Sequence, residues 1–471
     1  MDDSPLQFDL GRLDPARAKA LPIPRVPRAS GEAVLVVGTD DEIGRRTMDD
    51  PQERRVGIVP ADVKLLIDEL GKAGVSCKVF AVKGAGERCG FADEAYEKIG
   101  AAVVPKAQLA NLSPRPHVFH ALKEPCGYEE HLRGPFVRIG ALHTGEIRGD
   151  GGLARLLAAG QCHAIIDGSS LGGFAYRYRD PDLVASEFPL RQGMSWCAGL
   201  VAARRVKANR GKNELKRVVL FGGGVVGTAV AYDLLNDSPD QSSVRVTIYD
   251  RDAGACERLR RQFGSCGGRL EAFTKNALEK SDLEDADALV LSPFNPGRRS
   301  PKVVEFQDIL EMSAKAAIVD VSIDETGSIH VPGLEDAGVD DYKSGIESRL
   351  AAFNRESRKE LSYLASSHLP TELPEFSSEL HSKSVTPYLF VLLYMAARHG
   401  LADAVESISS LRPLGGRGFD PLFDGLRCDL HNGLAFCRHG EQPLQIVRSR
   451  VADVKGAMAA LTEAGRAYFV D

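Results

Sequence analysis

The chain has 471 residues, 43% hydrophobic and 26% charged, with a formal net charge of −6. That length exceeds one ordinary core and predicts two or three domains, and the composition is that of a globular protein. The negative balance offers no basic footprint for nucleic acid, and no stretch reaches the ~18 apolar residues that a membrane span requires.

In chain order, residues 1–30 are rich in proline and arginine (Pro15, Pro22, Pro24, Pro27) and read as an extension. Residues 32–38 are expected as a buried strand, and 61–73 as a helix with Val63, Leu66, Ile67 and Leu70 on one face. A strand at 77–82, a helix at 93–100 and strands at 101–104, 118–122 and 136–142 continue the alternation. A helix over 194–208 precedes a glycine-rich turn. Beyond it come strands at 244–250, 286–292 and 316–321, with a helix at 302–312. A polar, proline-punctuated stretch over 366–387 leads into an apolar helix at 388–399, and a last helix is expected at 451–465. Alternating strands and helices predict an α/β protein with two Rossmann-like, doubly wound parallel-sheet domains and a cleft between them. Residues 31–170 and 346–471 form the expected substrate domain, with the last ~60 residues unassigned, and 171–345 form the nucleotide domain.

The turn at 222–227 carries the strongest chemistry. The apolar run 218–221 ends in Gly222, Gly224 and Gly227 spaced as G-x-G-x-x-G, with Val225 and Val226 before the last glycine. A helical stretch follows, and a second apolar run closes on Asp250, 23 residues past Gly227. This is the order of a dinucleotide-binding βαβ unit, with pyrophosphate on the helix N-terminus and the acid on the ribose. Asp250 would repel a 2′-phosphate, which favours NAD over NADP, while the neighbouring Arg251 keeps NADP open.

Nine cysteines without C-x-x-C or a Cys/His ligand cluster read as reduced thiols in a cytoplasmic protein, and no metal site is expected. Asp2, Asp3 and Pro5 at the start do not resemble a secretory signal.

Several short motifs in series carry a family resemblance: Glu53-Arg54-Arg55-Val56-Gly57-Ile58-Val59-Pro60, Leu122-Lys123-Glu124-Pro125, Ala141-Leu142-His143 and Gly193-Met194-Ser195. The glycine turn, Pro296-Gly297, Pro301-Lys302 and Val319-Asp320-Val321-Ser322-Ile323-Asp324 follow in order. Together they resemble the alanine dehydrogenase and transhydrogenase N-terminal family, which includes the lysine-forming saccharopine dehydrogenases. The resemblance implies that Arg55 and Lys123 bind the substrate carboxylate, and that Lys123, His143 and Asp324 serve in catalysis. A guanidinium suits a carboxylate because its planar fork meets both oxygens, and histidine titrates near neutrality. His117, His120 and His163 lie nearby but are not singled out by the match.

The segment Leu369-Pro370-Thr371-Glu372-Leu373-Pro374 resembles the saccharopine branch, whereas Lys123-Glu124-Pro125 looks more like alanine dehydrogenase. The implied activity is therefore an NAD-dependent oxidoreductase acting on a C–N bond. It would interconvert an amino acid, or a saccharopine-like secondary amine, with its imine and oxo acid. An alanine-dehydrogenase-like deaminase using ammonia, and a non-catalytic NAD-binding relative of the transhydrogenase soluble domain, are the alternatives. The expected partner is a small amino acid or oxo acid, with no nucleic acid or membrane, and a homo-oligomer is left open.

Overall fold

The computed structural model describes residues 22–38, 53–123, 127–142, 156, 161–168, 171, 189–210, 215–236, 244–266, 268–293, 300–323, 327–366, 368–411, 419, 421–438, 444–446 and 468–469. Among these the chain forms two units, one made of residues 22–193 with 374–469 and the other of residues 194–373.

The first unit begins with β1 (Gly31–Val37), β2 (Val75–Val82), β3 (Ala102–Val104), β4 (Val118–His120), β5 (Phe136–Gly140) and β6 (Cys162–Asp167). All six are parallel, in the order β3-β2-β1-β4-β5-β6. Four successive residues of β1, Val34 to Val37, have no exposed surface, as expected of a strand covered on both faces. The helix Pro60–Lys72 buries Val63, Leu66 and Leu70 in this core, and Pro60 occupies the first helical position, where its missing N–H costs nothing.

The helix Pro374–His399 begins well before the 388 expected from the pattern. Its hydroxyls explain the disguise. Ser378 donates to the Pro374 carbonyl at 2.6 Å, Ser384 to Leu380 at 2.9 Å and Thr386 to Ser382 at 2.7 Å. Each polar side chain is thereby satisfied by its own helix four residues back, so a serine-rich, proline-containing sequence becomes buried helix.

The second unit holds β7 (Arg217–Phe221), β8 (Arg245–Asp250), β9 (Leu270–Thr274), β10 (Ala288–Leu291), β11 (Val304–Glu305), β12 (Ala317–Asp320), β13 (Ile329–His330) and β14 (Ser362–Ala365). Six of them form a parallel sheet in the order β9-β8-β7-β10-β12-β14, while β11 and β13 pair separately. The unit reaches Leu373 rather than the expected 345 because the helix Val339–Ser357 returns the chain to β14, which pairs with β12. The helix expected over 302–312 is replaced by β11 and the short helix Phe306–Ile309, since Val304 and Glu305 pair with Ile329 and His330.

Three late strands return to the first sheet. β15 (Leu434–Arg438) lies antiparallel to β6, and β16 (Leu444–Ile446) and β17 (Tyr468–Phe469) extend beyond it. The C-terminal segment therefore widens the first sheet. The helix expected at 451–465 lies outside the described residues. No described helix is long and apolar enough to cross a membrane.

Each parallel sheet reverses its winding once, beside β1 and β4 in the first unit and beside β7 and β10 in the second. Ligands of such sheets bind at the carboxyl ends of the strands flanking that point.

Candidate active site

In the second unit β7 ends at Phe221, and the chain turns through Gly222–Gly224 into the helix Val225–Asn236. A Cβ on Gly227 would stand 2.0 Å from the Gly222 carbonyl oxygen, so glycine alone lets the helix start this close to the strand. The Gly223 amide donates to Asp250 Oδ2 at 2.5 Å, and the Asp252 amide to Oδ1 at 2.8 Å. The acid closing β8 is thus fixed against the turn closing β7. Ser292, just past β10, donates its hydroxyl to the Phe221 and Gly222 carbonyls at 3.4 and 3.3 Å.

The first helical bond runs from the Thr228 amide to Gly224 at 2.9 Å, so the amides of Val225, Val226 and Gly227 have no acceptor within the helix. These donors and the helix dipole suit a pyrophosphate, and Asp250 keeps lone pairs for ribose hydroxyls. Arg251 is exposed next to it. The residues present fit a dinucleotide.

In the first unit, Ser378 and Ser382 receive the amides of Val56 and Val59, each at 3.0 Å, and the Ser382 hydroxyl donates to Asp62. This clamp sets the backbone beside Arg55. The guanidinium forks onto Glu53, with Nε to Oε1 at 2.7 Å and Nη2 to Oε2 at 2.5 Å, and the two side chains are 3% and 1% exposed. Burial pushes the Glu53 carboxyl up, but the charges of Arg55 and Lys123 outweigh it and hold the group down to about 2. The fork expected to meet a substrate carboxylate is therefore engaged by Glu53 along its Nε–Nη2 edge.

Lys123 follows the end of β4 and is half-buried. Its carbonyl accepts Arg138 Nη2 at 2.6 Å, while Arg138, wholly buried, pairs with Glu129 at 2.7 Å and donates to the Ala121 carbonyl at 3.0 Å. The turn carrying Lys123 is thus fastened to β5.

His120 ends β4 fully buried, with Nδ1 3.0 Å from the Ile139 carbonyl. The carbonyl can only accept, so Nδ1 bears the hydrogen and Nε2 faces Gly57, where a Cβ would lie 2.6 Å away. The His381 ring stacks on it, 5.6 Å between centroids and 9° from parallel. Burial, aided by the Arg138 charge, pushes His120 down to about 4. His381 is driven well below the ordinary histidine range by burial, by His120 and by Arg55.

The structure thus brings Arg55 and Lys123 into one cluster, and Gly222, Gly224, Val225, Val226, Gly227, Asp250 and Arg251 into another. His143 and Asp324 lie outside the described residues. Just before His143, the Ala141 amide donates to Leu122 at 2.7 Å and the Leu142 amide to Asp167 at 3.0 Å. Asp320, ahead of Asp324, accepts the Ser322 and Ser328 amides at 3.0 Å each and the Tyr363 hydroxyl at 3.2 Å, and burial lifts its carboxyl to about 6.

Sequence reasoning missed Glu53, His120 and His381. Glu53 was visible two residues from Arg55, His120 stood among the unmatched histidines, and His381 fell in a stretch read as a connection. Among the described residues no group of three or more His, Cys, Asp or Glu could hold a metal ion.

A model of the alanine dehydrogenase/PNT N-terminal domain matches residues 47–166, and one of the C-terminal domain matches residues 207–340. The chain is 28% identical over 316 residues to an alanine dehydrogenase of Bacillus subtilis (strain 168), covering 63% of this chain and 72% of that one. It is 30% identical over 300 residues to an alanine dehydrogenase of Bilophila wadsworthia, covering 59% and 70%. Among solved structures, an L-alanine dehydrogenase aligns with a TM-score of 0.62 at 21% identity, covering 92% of this chain and 99% of that one. A transhydrogenase from Sinorhizobium meliloti aligns at 0.54 and 17% identity, covering 78% and 98%. At those identities the two structures speak to the fold alone.

Proposed function

Because the chain belongs to the alanine dehydrogenase/PNT family, we propose that it is an NAD-dependent amino-acid oxidoreductase, oxidising a CH–NH2 group to the imine, which water then hydrolyses to a 2-oxo acid and ammonia. The observation that carries this reading is the pair of built sites at the switch points of two parallel sheets. One is a dinucleotide turn locked to Asp250, and the other is a buried Glu53–Arg55 pair reinforced by Lys123.

Bound NAD supplies the carbon that accepts the hydride. The chain's own residues do the rest. The Val225, Val226 and Gly227 amides hold the pyrophosphate, and Asp250 holds the ribose. Arg55 and Lys123 bring positive charge to the site, and the guanidinium and ammonium suit an α-carboxylate. Lys123 also moves a proton at the substrate carbonyl oxygen. The family resemblance assigns His143 and Asp324 to the proton lost or gained as amine becomes carbonyl.

The test is NADH oxidation by the purified chain with a panel of 2-oxo acids and ammonia. Turnover that requires ammonia supports deamination. Turnover only with lysine or another amine in place of ammonia would favour the secondary-amine reading drawn from Leu369–Pro374. NADH binding with no turnover under any of these conditions would leave a non-catalytic nucleotide-binding protein.

A further inference from the structure

His381 is 2% exposed, and neither of its ring nitrogens has a hydrogen-bond partner among the described residues. Native proteins seldom leave two such atoms unsatisfied on one ring, because each forfeits its hydration without replacement. At this exposure bulk solvent does not reach the ring, and the missing bonds fall to an enclosed water or to a polar group of a ligand bound in the cluster.

The surroundings indicate which ligand group. The charges that act on His381 are those of His120, Arg55, Glu53 and Lys123, and among the described residues the ring stacked on it is that of His120. His120 spends its Nδ1 hydrogen on the Ile139 carbonyl, so the stack holds one imidazole in place and leaves the other with both nitrogens to offer. A neutral imidazole presents one donor and one acceptor. An uncharged group that both donates and accepts, such as a hydroxyl or an amide, complements such a ring.

We propose that His381 is a specificity-determining residue that hydrogen-bonds an uncharged polar side chain of the bound amino acid or oxo acid, selecting hydroxyl- and amide-bearing substrates over alanine. This rests on the reading that Arg55 and Lys123 hold the α-carboxylate. The methyl group of alanine would offer neither nitrogen a partner. Sites built to bond a polar group discriminate strongly against the analogue that lacks it.

The experiment compares L-serine and L-glutamine with L-alanine, and hydroxypyruvate with pyruvate, in the full chain. Binding is read by calorimetry in the presence of saturating cofactor, and turnover by kcat/KM. The wild type is expected to prefer the polar member of each pair by about ten-fold or more. His381→Leu, similar in size and apolar, should bring the ratio near unity while leaving NADH affinity unchanged, and His381→Gln should keep part of the preference.

Should His381→Leu fail to fold, the wild-type ratio is joined by 15N spectra of the histidines, in which the His381 ring resonances should move with L-serine and stay put with L-alanine. A wild-type ratio near one, an unchanged ratio in His381→Leu, or ring resonances indifferent to L-serine overturns the proposal. Turnover of pyruvate with ammonia as good as that of hydroxypyruvate would sink this inference and leave the oxidoreductase reading standing. Selective binding of L-serine without any turnover would do the reverse.

Discussion

Glu53 and Arg55 form a two-point pair, Oε1 on Nε and Oε2 on Nη2, inside a site where both side chains are almost wholly buried. Removing one partner of such a pair leaves an uncompensated buried charge, which makes it stiff. Its geometry depends on the guanidinium being planar and forked. A lysine at 55 keeps the charge but loses the fork. Arg55→Lys is therefore expected to raise KM for the oxo acid by roughly ten- to a hundred-fold, with NADH binding unchanged by fluorescence titration. An unaltered KM would remove Arg55 from substrate binding.

Asp250 is expected to set the choice of dinucleotide. Its carboxylate sits on the Gly223 amide, where it would face a 2′-phosphate with like charge, and Arg251 stands exposed beside it. Asp250→Ser should shift the ratio of kcat/KM for NADPH over NADH upward by about ten-fold or more, since it removes the repulsion and keeps the arginine. A ratio that does not move would mean that another group holds the ribose.

Gly227→Ala tests the turn itself. The added methyl would lie 2.0 Å from a backbone carbonyl oxygen that has no room to yield. NADH affinity is expected to fall by at least about a hundred-fold as the helix start is displaced from the strand. Cofactor binding equal to wild type in titration calorimetry would contradict this.

Acid should act oppositely on the two units. His120, held down to about 4 by burial, stays neutral in the fold, while the unfolded chain takes up a proton below the usual 6.5. Its unit therefore loses stability as pH falls from 6.5 towards 4, roughly 2 kcal/mol by pH 5. Asp320, raised to about 6 by burial from an ordinary 3.8, is protonated in the fold before it is in the unfolded chain. Its contribution is full below 3.8 and is lost as pH rises through 6, so its unit gains about 1 kcal/mol on going from pH 7 to 5. The chain has one tryptophan, Trp196, in the unit that holds Asp320. Urea midpoints read by its fluorescence should rise on acidification in wild type and not in Asp320→Asn. Replacing His120 with Leu should reduce the acid loss of the other unit read by circular dichroism, with the buried His381 supplying the remainder.

The serine clamp is a stability device. Ser378→Ala strands the buried Val56 amide and should cost about 1–3 kcal/mol. Ser378→Thr, which keeps a hydroxyl, should cost less. Equal urea midpoints for wild type and alanine variant would show that the amide finds another acceptor.

The dinucleotide turn was legible because its determinants are local. Three glycines, an apolar run on each side and an acid after the second strand all act within one βαβ unit, and each does its work through backbone geometry that the residue type dictates. The same holds for the buried strand at β1, whose continuous apolar run needs both faces covered. Helix 374–399 was only half legible, since its serines and threonines, polar on paper, bond their own carbonyls and go into the core.

By itself, then, the sequence determined the two α/β halves and the turn at Gly222–Gly227 with Asp250, and it singled out Arg55 and Lys123 as candidate charges, Lys123 just past a strand. Only the tertiary structure decided that Glu53 engages Arg55, that His120 at the end of β4 meets His381 on a helix from the far end of the chain, and that β15 closes onto β6. Those contacts join residues remote in sequence. Their partners are chosen by which faces the packed sheet and helices bring together, and no local propensity encodes that choice.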